Sequence, residues 1–242
     1  MNETWLRRLG HALWPTAWGG FLHVDVSGQE HIPPTGPLVV SCNHVNALDP
    51  FVVDQYVGRP MVFFAKVELY ENKVLGPLAR HYMMIPVRRG EGDAEAIKSA
   101  LRVLHQGYAL YLAPEGTRSG DGVLLEGKVG GVMLASRVGC PVLPAAMWGH
   151  ARLFDNVKRL RPRTHMMLRF GEPYRFVGPR KPTREALEDM MVEMMYRVAV
   201  MMPPEFRGPY SGDPPPWRYT QTLSTADGQA APPAPEAVES AL

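Results

Sequence analysis

Six short apolar runs, each bounded by turn-forming residues, constrain this chain more than any other feature: 38–42 (LVVSC), 61–65 (MVFFA), 83–87 (MMIPV), 108–113 (YALYLA), 142–147 (VLPAAM) and 165–170 (HMMLRF). Short, largely apolar runs of this kind read as buried strands. Helix-length stretches lie between them. Asp93 caps a run in which Ile97, Leu101 and Leu104 share a face before Gly107 stops it, and 128–138 gives another helix. This alternation predicts an α/β fold with a mixed, mostly parallel central sheet flanked by helices. At 242 residues with 45% hydrophobic composition, the chain suits one globular α/β domain rather than a disordered or disulfide-stapled chain.

Both ends differ from this middle. Residues 1–24 open with Trp5, Leu6, Leu9, Leu13, Trp14 and Trp18 beside Arg7, Arg8 and His11, an amphipathic segment suited either to a membrane interface or to packing on the domain. The longest membrane-span candidate, 9–24, is broken by Pro15, Gly19 and Gly20, and no small-residue cleavage site follows it. Thr183 caps a last helix with an apolar stripe of Leu187, Met190, Met191, Met194, Met195, Val198, Met201 and Met202, read as core. From Pro203 the composition turns to Pro, Gly, Ser and Ala, so 203–242 is expected to be a disordered tail after a domain over 25–202.

Net charge is only +2, yet residues 150–184 hold ten Lys or Arg against two acids, a local +8 that the acidic C-terminal stretch cancels. An anionic partner fits that block, and no recognised nucleic-acid-binding module surrounds it. The two cysteines, Cys42 and Cys140, form no CxxC, so a disulfide framework and a Cys-based zinc site are both disfavoured, and a reducing compartment fits best.

Two segments carry candidate chemistry. Asn43-His44-Val45-Asn46-Ala47-Leu48-Asp49-Pro50 follows a buried strand, where the ligand groups of open α/β sheets collect. His44 and Asp49 are five apart, about 140° on a continuous helix, so their contact requires an intervening turn. With that turn His44 becomes a general base toward a hydroxyl, and Asp49 fixes its tautomer and stabilises the imidazolium. Asp49-Pro50 equally suits a helix N-cap with Pro at the first position, one oxygen capping and the other facing the imidazole. The second segment, Pro114-Glu115-Gly116-Thr117-Arg118-Ser119, also follows a strand, and its Arg, hydroxyl and backbone N–H groups suit a phosphate or oxyanion grip. Taken alone it reads as a surface turn. Cys42 reads as a small buried hydrophobe rather than an acyl-carrying nucleophile, and neither Ser41 nor Ser119 has a G-x-S-x-G setting.

In this order and about 70 residues apart, the two segments resemble the NHxxxxD and PEGTR motifs of the 1-acylglycerol-3-phosphate acyltransferase family of glycerolipid acyltransferases. Lys66-Val67-Glu68-Leu69, Gly76 and Ile85-Pro86-Val87-Arg88-Arg89-Gly90 resemble the family's second block, and Pro141-Val142-Leu143-Pro144 its fourth. The likeness spans about residues 25–175. It implies that His44 is the catalytic base and Asp49 its partner. It further implies that Lys66, Arg89, Glu115, Gly116, Thr117 and Arg118 bind the acceptor's phosphate and glycerol. Departures are Asn46 where Ser is common, Arg88 where an acid often stands, and Ala113 where Phe usually precedes the motif's proline. The implied activity is transfer of a fatty acyl group from acyl-CoA or acyl carrier protein to lysophosphatidate, giving phosphatidate, at the cytoplasmic face of a membrane and with no metal or cofactor. Another lyso-lipid acceptor and a non-catalytic lipid-binding role are the competing expectations.

Overall fold

The structure is a computed structural model, and it describes residues 5–73, 75–88, 93–161, 163–178 and 182–223. Helix α1 (Trp5–Trp18) leads into β1 (Leu22–Ser27); β2 (Leu38–Cys42), α2 (Asp49–Val57) and β3 (Met61–Lys66) follow. Two short helices, α3 (Val67–Glu71) and α4 (Leu75–His81), precede β4 (Ile85–Val87), α5 (Ala94–His105) and β5 (Ala109–Leu112). The chain continues through α6 (Val129–Val138), β6 (Val142–Trp148), α7 (Leu153–Lys158), β7 (Thr164–Phe170), β8 (Tyr174–Phe176), α8 (Arg184–Ala199) and β9 (Thr220–Thr222).

The sheet runs β1-β7-β6-β2-β5-β3-β4, with β8 and β9 branching from β6. The five strands β6, β2, β5, β3 and β4 are mutually parallel; β7 runs antiparallel to β6 and parallel to β1. This is the expected mixed, mostly parallel sheet, with helices on both faces. Strand alternation divides its core. Leu38, Val40 and Cys42 of β2 pack toward Val52 and Val53 of α2 and Leu153 of α7, whereas Val39 faces Ala100 and Leu104 of α5, Val132 of α6 and Met190 and Met194 of α8.

The helix boundaries follow their caps. Asp93 accepts from the Ala96 N–H at 3.0 Å and Thr183 from the Ala186 N–H at 3.2 Å, each holding one otherwise unpaired first-turn donor. The run expected over 83–87 gives a strand only from Ile85, because Met83 takes a left-handed φ of 52° in the turn after α4.

Both ends of the chain correct the sequence reading. The run 9–24 is divided between α1 and β1, so the boundary expected after residue 24 falls inside a strand. Trp14 and Trp18 pack on the core under α2, and the buried Arg7 guanidinium pairs with Asp54. Leu9 and Leu13, 43% and 52% exposed, face outward on the same helix. No helix among the described residues is long and apolar enough to cross a membrane.

The tail expected to be disordered from Pro203 is ordered as far as Leu223. Its 3-10 turns Pro204–Phe206 and Gly208–Tyr210 bury Tyr210, and β9 pairs antiparallel with β8. The buried Glu193 carboxylate accepts from the Arg218 and Tyr219 N–H groups and the Thr220 hydroxyl, at 2.7, 2.9 and 2.8 Å, and Arg197 lies over Trp217. A few aromatic and hydroxyl anchors fasten a segment whose average composition is that of a linker. Residues 224–242 of the expected tail lie outside the described residues.

Candidate active site

The candidate residues follow the carboxyl ends of neighbouring parallel strands, the edge where a sheet of this kind presents its ligand groups. His150 lies beyond β6, His44 beyond β2 and Glu115 to Arg118 beyond β5, while Lys66 ends β3 and Arg88 follows β4. Register places Phe63 beside Tyr111, which puts Lys66 level with Pro114, and places Lys66 itself beside Val87. Arg89 lies outside the described residues.

The turn required between His44 and Asp49 is present. Asp49 Oδ2 lies 2.9 Å from His44 Nδ1 and accepts the backbone N–H groups of Val45 and Asn46 at 2.6 and 2.9 Å. Asp49 is therefore not the N-cap: Leu48 holds that position, and the Asp49 side chain folds back over the loop while Pro50 stands in the first turn. Both carboxylate oxygens are committed at the site, because Oδ1 lies 2.9 Å from Nε2 of His150. Burial pushes the Asp49 carboxyl up, but the hydrogen bonds and charge of His150 and His44 outweigh it and hold the group at about 2. An ionised Asp49 accepts the hydrogen bond of the His44 Nδ1–H, which leaves Nε2 with the free lone pair. His44 retains 8% exposure, against 0% for Asp49.

Asn46, one of the departures from the family pattern, closes the same turn: its Oδ1 accepts the Leu48 N–H at 2.9 Å, and its Nδ2 reaches the His150 carbonyl at 3.4 Å. Asn43 bonds both the N–H and the carbonyl of Met147 on β6, at 2.7 and 2.8 Å, so the loop leaves the sheet as a side-chain extension of the ladder.

Glu115 is buried, and both its oxygens are taken by backbone donors, His44 N–H on Oε1 and Leu125 N–H on Oε2, each at 2.9 Å. The Ser119 N–H also donates to the His44 carbonyl at 2.8 Å. Expected as a ligand group, Glu115 is instead committed to tying the two motif loops together. Burial pushes its carboxyl up to about 7 against the pull of those two N–H groups.

Gly116, Thr117 and Arg118 are exposed. Gly116 has φ +66°, and the Lys128 side chain crosses it so closely that a β-carbon there would sit 3.0 Å from Cδ and 3.3 Å from Nζ. Lys128 thus adds a cation to the loop. Neither it nor His150 was singled out from sequence. His150 stands 101 positions from Asp49 in no motif, its one sequence signal being its place just past an apolar run and Gly149.

Cys42 is fully buried, and desolvation, then the charges of Asp49 and Glu115, push its thiol far above the ordinary range. The thiolate needed for acyl transfer is disfavoured there, in keeping with the reading of a buried hydrophobe. Beside the loop, α1, α2 and Tyr82 enclose an apolar groove of about 290 Å³, walled by Leu13, Trp14, Trp18, Leu48 and Phe51. Leu48, which walls this groove, immediately precedes Asp49 in the chain.

The fold and this edge describe an α/β enzyme domain with a buried His–Asp pair beside an exposed cationic loop. A family model described as Acyltransferase matches residues 23–148. The 1-acyl-sn-glycerol-3-phosphate acyltransferase of Bacillus subtilis is 29% identical over 72% of this chain and 86% of its own length. The alpha enzyme of that name from Mus musculus is 31% identical over 57% of this chain and 50% of its own. The crystal structure of the Thermotoga maritima 1-acyl-sn-glycerophosphate (LPA) acyltransferase, PlsC, superposes with a TM-score of 0.61 at 27% identity, covering 77% of this chain and 75% of that one. The chain belongs to the acyltransferase family.

Proposed function

We propose that this acyltransferase moves a fatty acyl group from a thioester, acyl-CoA or acyl carrier protein, to the free hydroxyl of lysophosphatidate, forming phosphatidate. The observation that carries the reading is the contact of His44 Nδ1 with an Asp49 carboxylate held at about 2, which leaves Nε2 as the basic nitrogen. The names of the relatives supply the substrate class. A thioester is already activated, so no covalent enzyme intermediate is needed. His44 Nε2 takes the hydroxyl proton as the oxygen attacks the thioester carbonyl, and the thiolate leaves; Asp49 stabilises the imidazolium.

The acceptor phosphate is assigned to Lys66, Arg118 and Lys128, cations along the same edge, and to Arg89 of the second sequence block, with Thr117 as a hydroxyl donor. The groove walled by Leu48 takes the acyl chain, being apolar and lined by the residue that precedes Asp49. The outward Leu9 and Leu13 of α1, with the basic block 150–184, bring the protein to the anionic cytoplasmic face of a membrane as a peripheral enzyme.

The test is purified protein with a labelled acyl thioester, in separate acyl-CoA and acyl carrier protein arms, offered a panel of lyso-lipids and read by product mass spectrometry. Labelled phosphatidate from lysophosphatidate is expected in one or both arms. Product from neutral lyso-lipids alone would overturn the acceptor assignment, and no acyl transfer in either arm would favour a lipid-binding role.

A further inference from the structure

Away from this edge, His23 and Asp25 stand two residues apart on β1 and so share one face of the sheet. The parallel register sets His165 of β7 beside His23. His23 Nε2 lies 3.1 Å from Asp25 Oδ1, the His23 and His165 rings are centred 5.1 Å apart, and one donor atom from each of the three residues lies within 4.8 Å of the others. Among the described residues this is the one cluster of His, Cys, Asp or Glu side chains with metal-ligating spacing.

We propose that His23, Asp25 and His165 form a binding site for a divalent transition-metal ion of the zinc class. Two imidazoles and one carboxylate are a donor set that zinc accepts, and the imidazoles favour Zn²⁺, Ni²⁺ or Co²⁺ over Mg²⁺ or Ca²⁺. Bonds of roughly 2.0–2.2 Å in a tetrahedron separate neighbouring donors by about 3.4 Å. The His23–Asp25 pair already lies within that spacing. The remaining donor has to close by no more than about 1.4 Å, which side-chain rotation supplies without moving backbone. The backbone beneath is fixed by six paired positions, Leu22 with Thr164 through Ser27 with Arg169, so little ordering accompanies binding. All three side chains reach solvent, which provides an entry path and leaves the fourth coordination position to water. The ion cross-links β1, the edge strand that follows α1, to its one neighbour in the sheet, and it takes no part in the chemistry assigned to His44.

The experiment uses the full chain without a polyhistidine tag, titrated with Zn²⁺ by calorimetry and with Co²⁺ by visible absorption. The wild type is expected to bind one ion per chain, to show the intense absorption of low-coordinate Co²⁺, and to gain thermal stability with Zn²⁺. His23→Ala, His165→Ala and Asp25→Asn should each weaken Zn²⁺ binding by about tenfold or more and lose the stabilisation by metal, with an unchanged metal-free Tm because the side chains are exposed. A His23→Ala/His165→Ala double variant that binds Zn²⁺ as the wild type does would overturn the site. So would a wild type that binds no ion.

Discussion

The His44 backbone N–H donates to Oε1 of Glu115 at 2.9 Å, so a residue of the second motif loop holds the candidate base of the first from 71 positions away. A carboxyl group suits this place because each of its two oxygens can accept an N–H, those of His44 and Leu125, where the amide of Gln offers only one acceptor.

Glu115→Gln replaces one acceptor with a donor and sets two N–H groups against each other. The variant should lose about 1–3 kcal/mol of stability and most of its activity, measured by denaturant unfolding and turnover. The pH dependence has a definite sign. The native carboxyl titrates at about 7, above its ordinary 4.5, so its contribution to stability is fully present below about 4.5 and is lost as pH rises through 7. Glu115→Gln should flatten that part of the stability profile; an unchanged profile would assign the titration elsewhere.

His150→Ala removes the donor to Asp49 Oδ1. Hydrogen bonds to charged groups contribute roughly 1.5–3 kcal/mol, so turnover should fall about ten- to a hundredfold, with partial rescue by His150→Gln, which retains a donor. Asp49 is held at about 2 in the native chain, below its ordinary 3.8, so its stabilisation is present above 3.8 and lost as pH falls through 2. In His150→Ala the native value should rise back toward 3.8, so this acid-dependent loss should shrink and be complete at a higher pH. An acid-unfolding curve superposable on the wild type would place His150 outside the carboxylate's support.

Arg118 is exposed on the loop after β5, and truncation to Ala should leave Tm unchanged. If it holds the acceptor phosphate, the apparent affinity for lysophosphatidate should drop about ten- to a hundredfold while a neutral lyso-lipid is unaffected. Equal losses for both acceptors would make the residue structural.

The two faces of α1 separate by mutation. Arg7→Ala leaves the buried Asp54 without its guanidinium and should cost about 3–5 kcal/mol in unfolding experiments. Leu9→Asp with Leu13→Asp alters the exposed face, so stability should hold while binding to vesicles containing anionic lipid weakens. Raising salt should weaken the contribution of the 150–184 block and leave the apolar part. Undiminished vesicle binding by the double variant would remove α1 from the membrane contact.

What was legible in the sequence is what short-range patterning encodes. The apolar runs gave β2, β3, β5, β6 and β7 nearly to the residue, and Asp93 and Thr183 capped the helices expected of them. The LHVDVS alternation of β1 is equally plain, but its start was absorbed into the run 9–24, where the Gly19–Gly20 break marks a change of element. His150 and the strut role of Glu115 were not legible, because each depends on which strands lie side by side. The order β6-β2-β5 alone brings residues about 70 and 100 positions apart to one turn. The ordered segment to Leu223 was missed for another reason: its anchors, Tyr210, Trp217 and Thr220, are sparse, and the partners that hold them lie on α8 and β8.

The most direct measurement is turnover of lysophosphatidate with a labelled acyl thioester by wild type and by His44→Ala, each shown to be folded by circular dichroism and thermal unfolding. General-base assistance contributes roughly 10²–10⁴-fold, so His44→Ala should lose that much in kcat and still bind the acceptor. A folded His44→Ala protein that transfers acyl groups at the wild-type rate would contradict the mechanism built on the His44–Asp49 pair.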